Sequence, residues 1–232
     1  MNSNEFRKTS QYLMPAKKQG ENIGKYGLFP THSVGEDKIF AGFESLASEI
    51  QNHKTIIIDG FLGVFYKNIK EQLQNNFEKR GLKINWIDIS EALIPEPEID
   101  KLVASFLGGG DPIFGTRTTL DLIDFFQVGE LESLRLNTDS DINIIYGIGA
   151  ILTNFKGTLI YFDLPKNELQ FRARAKSITN LGASKPDEIK SMYKRFYFVD
   201  WIVLNKHKQA ILPEIDIVVE MIGGVTIAKD LI

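Results

Sequence analysis

The stretch KTIIIDGFLGVFYKNIKEQLQNNFEKRG, residues 54–81, limits the fold more than any other part of the chain. Three consecutive isoleucines, Ile56 to Ile58, suit a strand buried on both faces of a parallel sheet. Gly60 and Gly63 then punctuate the chain. Phe65, Ile69, Leu73 and Phe77 recur every four residues and form one apolar helical face, which Gly81 closes as a C-terminal cap. A strand, a glycine loop and a helix in immediate succession are the opening unit of an α/β domain.

The remaining pattern repeats that alternation. Residues 40–51 predict an amphipathic helix, and KINWID (83–88) a second strand. EIDKLVASFL (98–107) reads as a helix stopped by Gly108, Gly109 and Gly110. Thr118 with Asp121 resembles a capping box ahead of LDLIDFF. VGELESLRL is helical in pattern. INIIYGIGAIL (142–152) opens as a buried strand, and TLIYFD (158–163) is another. PKNELQFRARAKSITNLG predicts one helix from Pro165 to Gly182, and PDEIKSMYKRFYFVD (186–200) a further one. WIVLNK (201–206) and IDIVVE (215–220) are expected as strands. No hairpin signal separates the strands. The expected fold is therefore α/β, with a doubly wound, mostly parallel sheet and right-handed crossovers. The expected domains are an N-terminal arm (1–39) carrying Tyr12, Tyr26 and Phe29, the α/β domain (40–220), and a tail or linker (221–232).

Composition excludes several function classes. The chain has no cysteine, which rules out disulfides, thiolate metal sites and cysteine nucleophiles, and which suits a reducing, cytoplasmic location. A net charge of −3 gives no basic field for nucleic acid. No apolar run is long enough for a membrane helix. His32, His53 and His207 are scattered and show no metal-ligand spacing, so no metal is assigned.

The glycine loop is the first candidate site. A helix N-terminus offers unpaired N–H groups and the positive end of the dipole, and glycines let backbone approach a phosphate. Gly60, Phe61, Leu62 and Gly63 are the candidate phosphate-binding residues, with Lys67 reaching back from the first helical turn. Counted from Gly60 against G-x-x-x-x-G-K-[ST], Phe65 stands at the second glycine, Tyr66 at the lysine and Lys67 at the hydroxyl. A phosphate cradle and a tight βα turn both fit. Arg172 and Arg174 in FRARAK are candidate phosphate ligands because a guanidinium donates two parallel bonds; a solvated helix face also fits. GGGDPIFGTRTT offers an amide nest, with Arg117 and Thr118 as candidate substrate-binding residues; caps and turns fit as well. Asp59, Asp88 and Asp163 each close a strand, where ligands of parallel sheets gather. Asp59, Asp88 and Lys67 are the candidate catalytic residues.

The ordered set IIIDGFLG, NWIDIS, FLGGGDPIFG, IIYGIGAIL, LIYFDLPKNELQFRARAK, YKRFYFVDW and VLNKH resembles the kinase-like N-terminal region of long class I mannose-6-phosphate isomerases of Bacteroidetes-type bacteria. That region is similar to a diverged uridine-kinase-type P-loop fold. The resemblance implies a P-loop-kinase-like, three-layer domain with residues 54–59 central and the arginine-bearing helix in the place of a lid. It implies a small phosphorylated ligand, nucleotide or sugar phosphate, and Mg²⁺ with a nucleotide if the chain is a kinase. It also implies a C-terminal cupin isomerase domain as partner, since the isomerase metal set of Gln, two His and Glu is not found here. The displaced lysine and hydroxyl point to binding without phosphoryl transfer. An active nucleoside or sugar kinase is the alternative, and isomerisation by a domain outside this chain is the second.

Overall fold

The computed structural model describes Arg7 and residues 35–111, 113–221 and 226–229. The aromatic arm with Tyr12, Tyr26 and Phe29 lies outside the described residues.

Strand β1 (Ile39–Ala41) leads into helix α1 (Gly42–Ile50). The isoleucine run forms β2 (Thr55–Gly60), followed by α2 (Tyr66–Glu78) and β3 (Ile84–Asp88). Helices α3 (Glu96–Ala104) and α4 (Val128–Ser133) precede β4 (Ile142–Tyr146) and β5 (Thr158–Asp163). Helices α5 (Lys166–Arg174), α6 (Ile189–Arg195) and α7 (Trp201–Ile211) lead to β6 (Ile217–Glu220) and β7 (Thr226–Lys229). These strands make one seven-stranded sheet in the order β1-β7-β6-β5-β2-β4-β3. β2 pairs in parallel with β4 on one side and β5 on the other; β3 and β6 extend the parallel set. β7 runs antiparallel to both β6 and β1.

The strict alternation of β2 divides the core. Ile56 and Ile58 pack with Leu46, Ala47 and Ile50 of α1 and with Ile69, Leu73 and Phe77 of α2. Ile57 faces the opposite layer, where Ile99 of α3, Leu169 of α5, Met192 of α6 and Val203 of α7 lie. Helices thus cover both faces, giving a three-layer, doubly wound α/β fold. The connection leaving β2 passes over one face and those after β3 and β5 over the other. β2, with β4 and β5 beside it, is therefore the point where the winding reverses, and ligand crevices open at the carboxyl ends of such strands.

The chain departs from the expected elements in five places. Residues 39–41, expected as the end of the arm and the start of the first helix, form β1. WIVLNK is not a strand: Val203, Leu204, His207 and Ile211 are buried on one face of α7, which continues α6 through a π-turn over Phe196–Asp200. The helical period overrides the local β-branched preference. Helix α5 stops at Arg174, because Lys176 adopts φ +57 and residues up to Glu188 are irregular. The capping box is Asp121 with Asp124 rather than Thr118 with Asp121, and it opens a short 3₁₀ turn. Residues 226–229, expected in a tail, form β7 and bury Ile227.

Leu73 is fully buried between α2 and the sheet. Leu73→Ala is expected to lower unfolding free energy by about 2–5 kcal/mol through the cavity it leaves, measured by urea denaturation with an unchanged m-value.

Candidate functional site

The turn after β2 is fixed by close packing. A Cβ on Gly60 would lie 2.6 Å from the carbonyl oxygen of Phe162. Gly63 has φ +84, and a Cβ there would meet Leu169 Cδ2 at 2.5 Å. Both positions therefore demand glycine. The Phe61 amide donates to the Phe162 carbonyl at 2.9 Å, which carries β5 pairing one residue past the strand.

Beyond this turn lies a cavity of about 440 Å³ at the carboxyl ends of β2, β3 and β4. Leu62, Gly63, Val64, Phe65 and Tyr66 form one wall. Asp88 and Ser90 come from the end of β3, and Tyr146, Gly147 and Ile148 from the end of β4. The irregular segment 177–184, between α5 and α6, closes the remaining side. Among the described residues, the amides of Leu62, Gly63 and Val64 meet no protein acceptor. The first amides of α2 are unpaired by helix geometry.

The polar lining is unusual for a phosphate site. Asp88 is the one charged residue among the described residues that line it; no lysine or arginine does. Asp88 accepts the Ser90 amide at 2.9 Å. Burial, and then the neighbouring Asp88, push the Tyr146 phenol well above its ordinary pKa, so it stays protonated beside that carboxylate. Tyr66, which the motif count sets against the lysine, opens α2. Its hydroxyl is buried and meets no hydrogen-bond partner among the described residues, and its pKa is raised, first by burial and then by Asp59. Lys70, one turn along α2, sits 5.4 Å from the Tyr146 ring centre and 5.8 Å from that of Trp86.

Of the residues singled out in the sequence, Leu62, Gly63 and Asp88 line this cavity. Gly60 and Phe61 lie just below it as the strand end. Lys67 is exposed on α2 and does not line it. Asp59 is fully buried and belongs to the core. Its Oδ1 accepts the amides of Gly60 at 2.7 Å and Gly149 at 2.9 Å, and its Oδ2 lies 3.0 Å from His207 Nε2 and accepts the Ile151 amide at 3.3 Å. With its lone pairs so engaged, Asp59 has no capacity left for a substrate or metal. Asp163 pairs with Lys208 at 2.5 Å.

Arg172 is buried, with Nη1 2.6 Å from the Gly63 carbonyl oxygen, and it does not line the cavity. Arg174 is exposed and donates to Tyr193 Oη at 2.9 Å. Arg117 is exposed; Thr118 is buried and its Oγ1 accepts the Leu120 amide at 3.1 Å. Neither lines the cavity. In the glycine run, the Asp111 carboxylate caps the amides of Ile113 and Phe114, so those donors are spent within the turn. Tyr146 and segment 177–184 were missed by sequence reasoning. Tyr146 closes β4 just as Asp88 closes β3 and carried the same positional signal. The segment has no periodicity to mark it.

Asp59→Ala would strand three amides and His207 in the core. The expected loss of stability is about 3 kcal/mol or more, read by chemical denaturation, whereas Asp88→Asn, at a half-buried site, is expected to cost under about 1 kcal/mol. Equal losses in the two variants would show that Asp59 is not the structural carboxylate.

Two solved structures are similar to this chain. One is a protein provisionally described as a fructose transport system kinase from Silicibacter sp. TM1040, at 9% identity and TM-score 0.46, covering 71% of this chain and 94% of that one. The other is provisionally described as a uridine kinase from Bacillus stearothermophilus, at 12% identity and TM-score 0.42, covering 76% and 96%. Likeness at this level adds nothing to the topology given above. No curated protein matches the chain. Among the described residues, no helix is long and apolar enough to cross a membrane. The model of one family matches residues 42–227, nearly the whole described domain, and the chain belongs to that family, the domain of unknown function DUF8485.

Proposed function

We propose that this chain is a degenerate P-loop-kinase-like domain that binds a small phosphorylated ligand, a nucleotide or sugar phosphate, without transferring the phosphoryl group. The observation that carries this is the pairing of opposite polarities in one cavity. The amides of Leu62, Gly63 and Val64 offer an anion site at the end of β2. Asp88 offers hydroxyl-accepting oxygens at the end of β3. β4 lies between, so the two sites are roughly 10 Å apart, two strand spacings. A phosphate joined to a hydroxylated body spans such a gap. A carboxylate at the far end disfavours a second anionic group there.

Phosphoryl transfer depends on charge stabilisation around the transferred group. A neutral phenol stands where the lysine belongs, and Lys67 is exposed where the metal-binding hydroxyl belongs. Asp59 is saturated and Asp88 is the one carboxylate lining the cavity. These residues do not fit an Mg²⁺–nucleotide set, so no catalytic step is assigned to one. The proposed association with mannose-6-phosphate isomerase and a cupin partner rests on sequence resemblance alone; a hexose phosphate is the ligand it would favour.

Calorimetric titration with nucleoside monophosphates, hexose phosphates and their dephosphorylated counterparts tests the proposal. At least one phosphorylated compound is expected to bind about tenfold or more tightly than its counterpart, and Asp88→Asn to weaken both members of that pair. A coupled assay with ATP and Mg²⁺ is expected to show no turnover. Turnover abolished by Lys67→Ala would establish a working kinase instead.

A further inference from the structure

Arg172 makes contacts that no phosphate ligand needs. From α5 its guanidinium reaches the backbone of two other segments: Nη1 donates to the Gly63 carbonyl at 2.6 Å and Nη2 to the Met221 carbonyl at 3.3 Å. Nε donates to Glu168 Oε1 at 2.9 Å, and the guanidinium carbon lies 4.4 Å from the centre of the Phe65 ring. The side chain is buried, and Glu168 is buried beside it with Arg7 at 3.1 Å from its other oxygen. A planar fork holds its donors in fixed directions, which the rotatable ammonium of a lysine does not.

Resting on the assignment of this cavity to a phosphorylated ligand, we propose that Arg172 is the positioning residue of the anion site: it acts through the Gly63–Val64 peptide and does not touch the ligand. The chain contains no cis peptide bond among its described residues, so this peptide is trans. In a trans peptide the C=O and N–H point to opposite sides. Holding the Gly63 carbonyl against Arg172 therefore directs the Val64 N–H away from the guanidinium. That N–H meets no acceptor among the described residues, and both Gly63 and Val64 line the cavity. Rotation of this peptide is free on the Gly63 side and opposed on the Val64 side, where a full flip would force a β-branched residue to positive φ. A partial tilt would bring the carbonyl oxygen nearer the ligand's phosphate and weaken the local dipole. The arginine thus sets how squarely the loop presents its N–H to an anion, while its own charge stays behind the loop.

The test uses the full chain labelled with ¹⁵N, titrated with inorganic phosphate and followed at the amide resonances of Leu62, Gly63 and Val64. In the wild type, the Val64 amide is expected to shift saturably. In Arg172→Gln, with a dispersed spectrum showing an intact fold, that response is expected to weaken by roughly tenfold or more. A purely structural arginine would lower stability without selectively moving the phosphate response of Val64. Glu168→Gln, which keeps an acceptor but removes the charge that holds the Nε end of the guanidinium, is expected to weaken the same response by a smaller factor, and it supplies the test if Arg172→Gln does not fold. Wild-type phosphate affinity in the folded variants would overturn the role of Arg172 and leave the anion site standing. A wild-type loop that responds to no phosphate would overturn the anion site and, with it, this role.

Discussion

One buried carboxylate holds the working end of this domain together. Asp59 closes the central strand, and its oxygens gather the amides of Gly60, Gly149 and Ile151 together with His207. These partners come from the strand itself, from the turn after β4 and from α7. A buried charge is tolerated only when its hydrogen-bonding capacity is filled, and here filling it requires the three segments to converge. The end of β2 and the start of the β4–β5 connection are thereby fixed relative to each other. The glycine loop and Tyr146, which depend on those two points, form the cavity above.

The glycine loop is rigid for complementary reasons. Gly60 admits no side chain beneath the Phe162 carbonyl, and Gly63 admits none against Leu169. Arg172 then secures the loop from α5, with burial lowering its pKa and the neighbouring Glu168 opposing that effect. Positive charge is present close to the loop, yet no lysine or arginine is among the described residues that line the cavity. On the proposed reading, an anion there meets oriented backbone dipoles, which cost no reorganisation when it arrives.

Much of this was legible in the residues. The isoleucine run and the four-residue spacing of Phe65, Ile69, Leu73 and Phe77 defined β2 and α2, because burial on both faces and on one stripe leave different periods. The glycines marked the turn. What could not be read was which of several equivalent signals faced the cavity. Asp59, Asp88 and Asp163 all end strands, and only Asp88 reaches the cavity; the others were claimed by His207 and Lys208, whose positions depend on α7. That helix was itself misassigned, because WIVLNK is rich in residues that favour strands and its helical period is visible only together with the residues after it. Arg172 carried the chemistry of a phosphate ligand, and only the packing of α5 on Gly63 shows its donors committed to backbone.

The pairing of β1 with β7 bears on how the molecule is made. Ile39 lies opposite Ala228, so the sheet edge beyond β6 is sealed by segments from the two ends of the described domain. On a ribosome, β2 to β5 can assemble while the remainder is still being synthesised, but this edge must wait for the last strand to emerge. Until then β6 has an open row of backbone donors and acceptors, the kind of template that invites a neighbouring chain. Closing contacts between such distant positions is also slow, because the loop entropy is lost before the contact is gained. Until β7 has found β1, a nascent chain thus keeps its sheet unsealed, and that is the period in which a chaperone would have most to do.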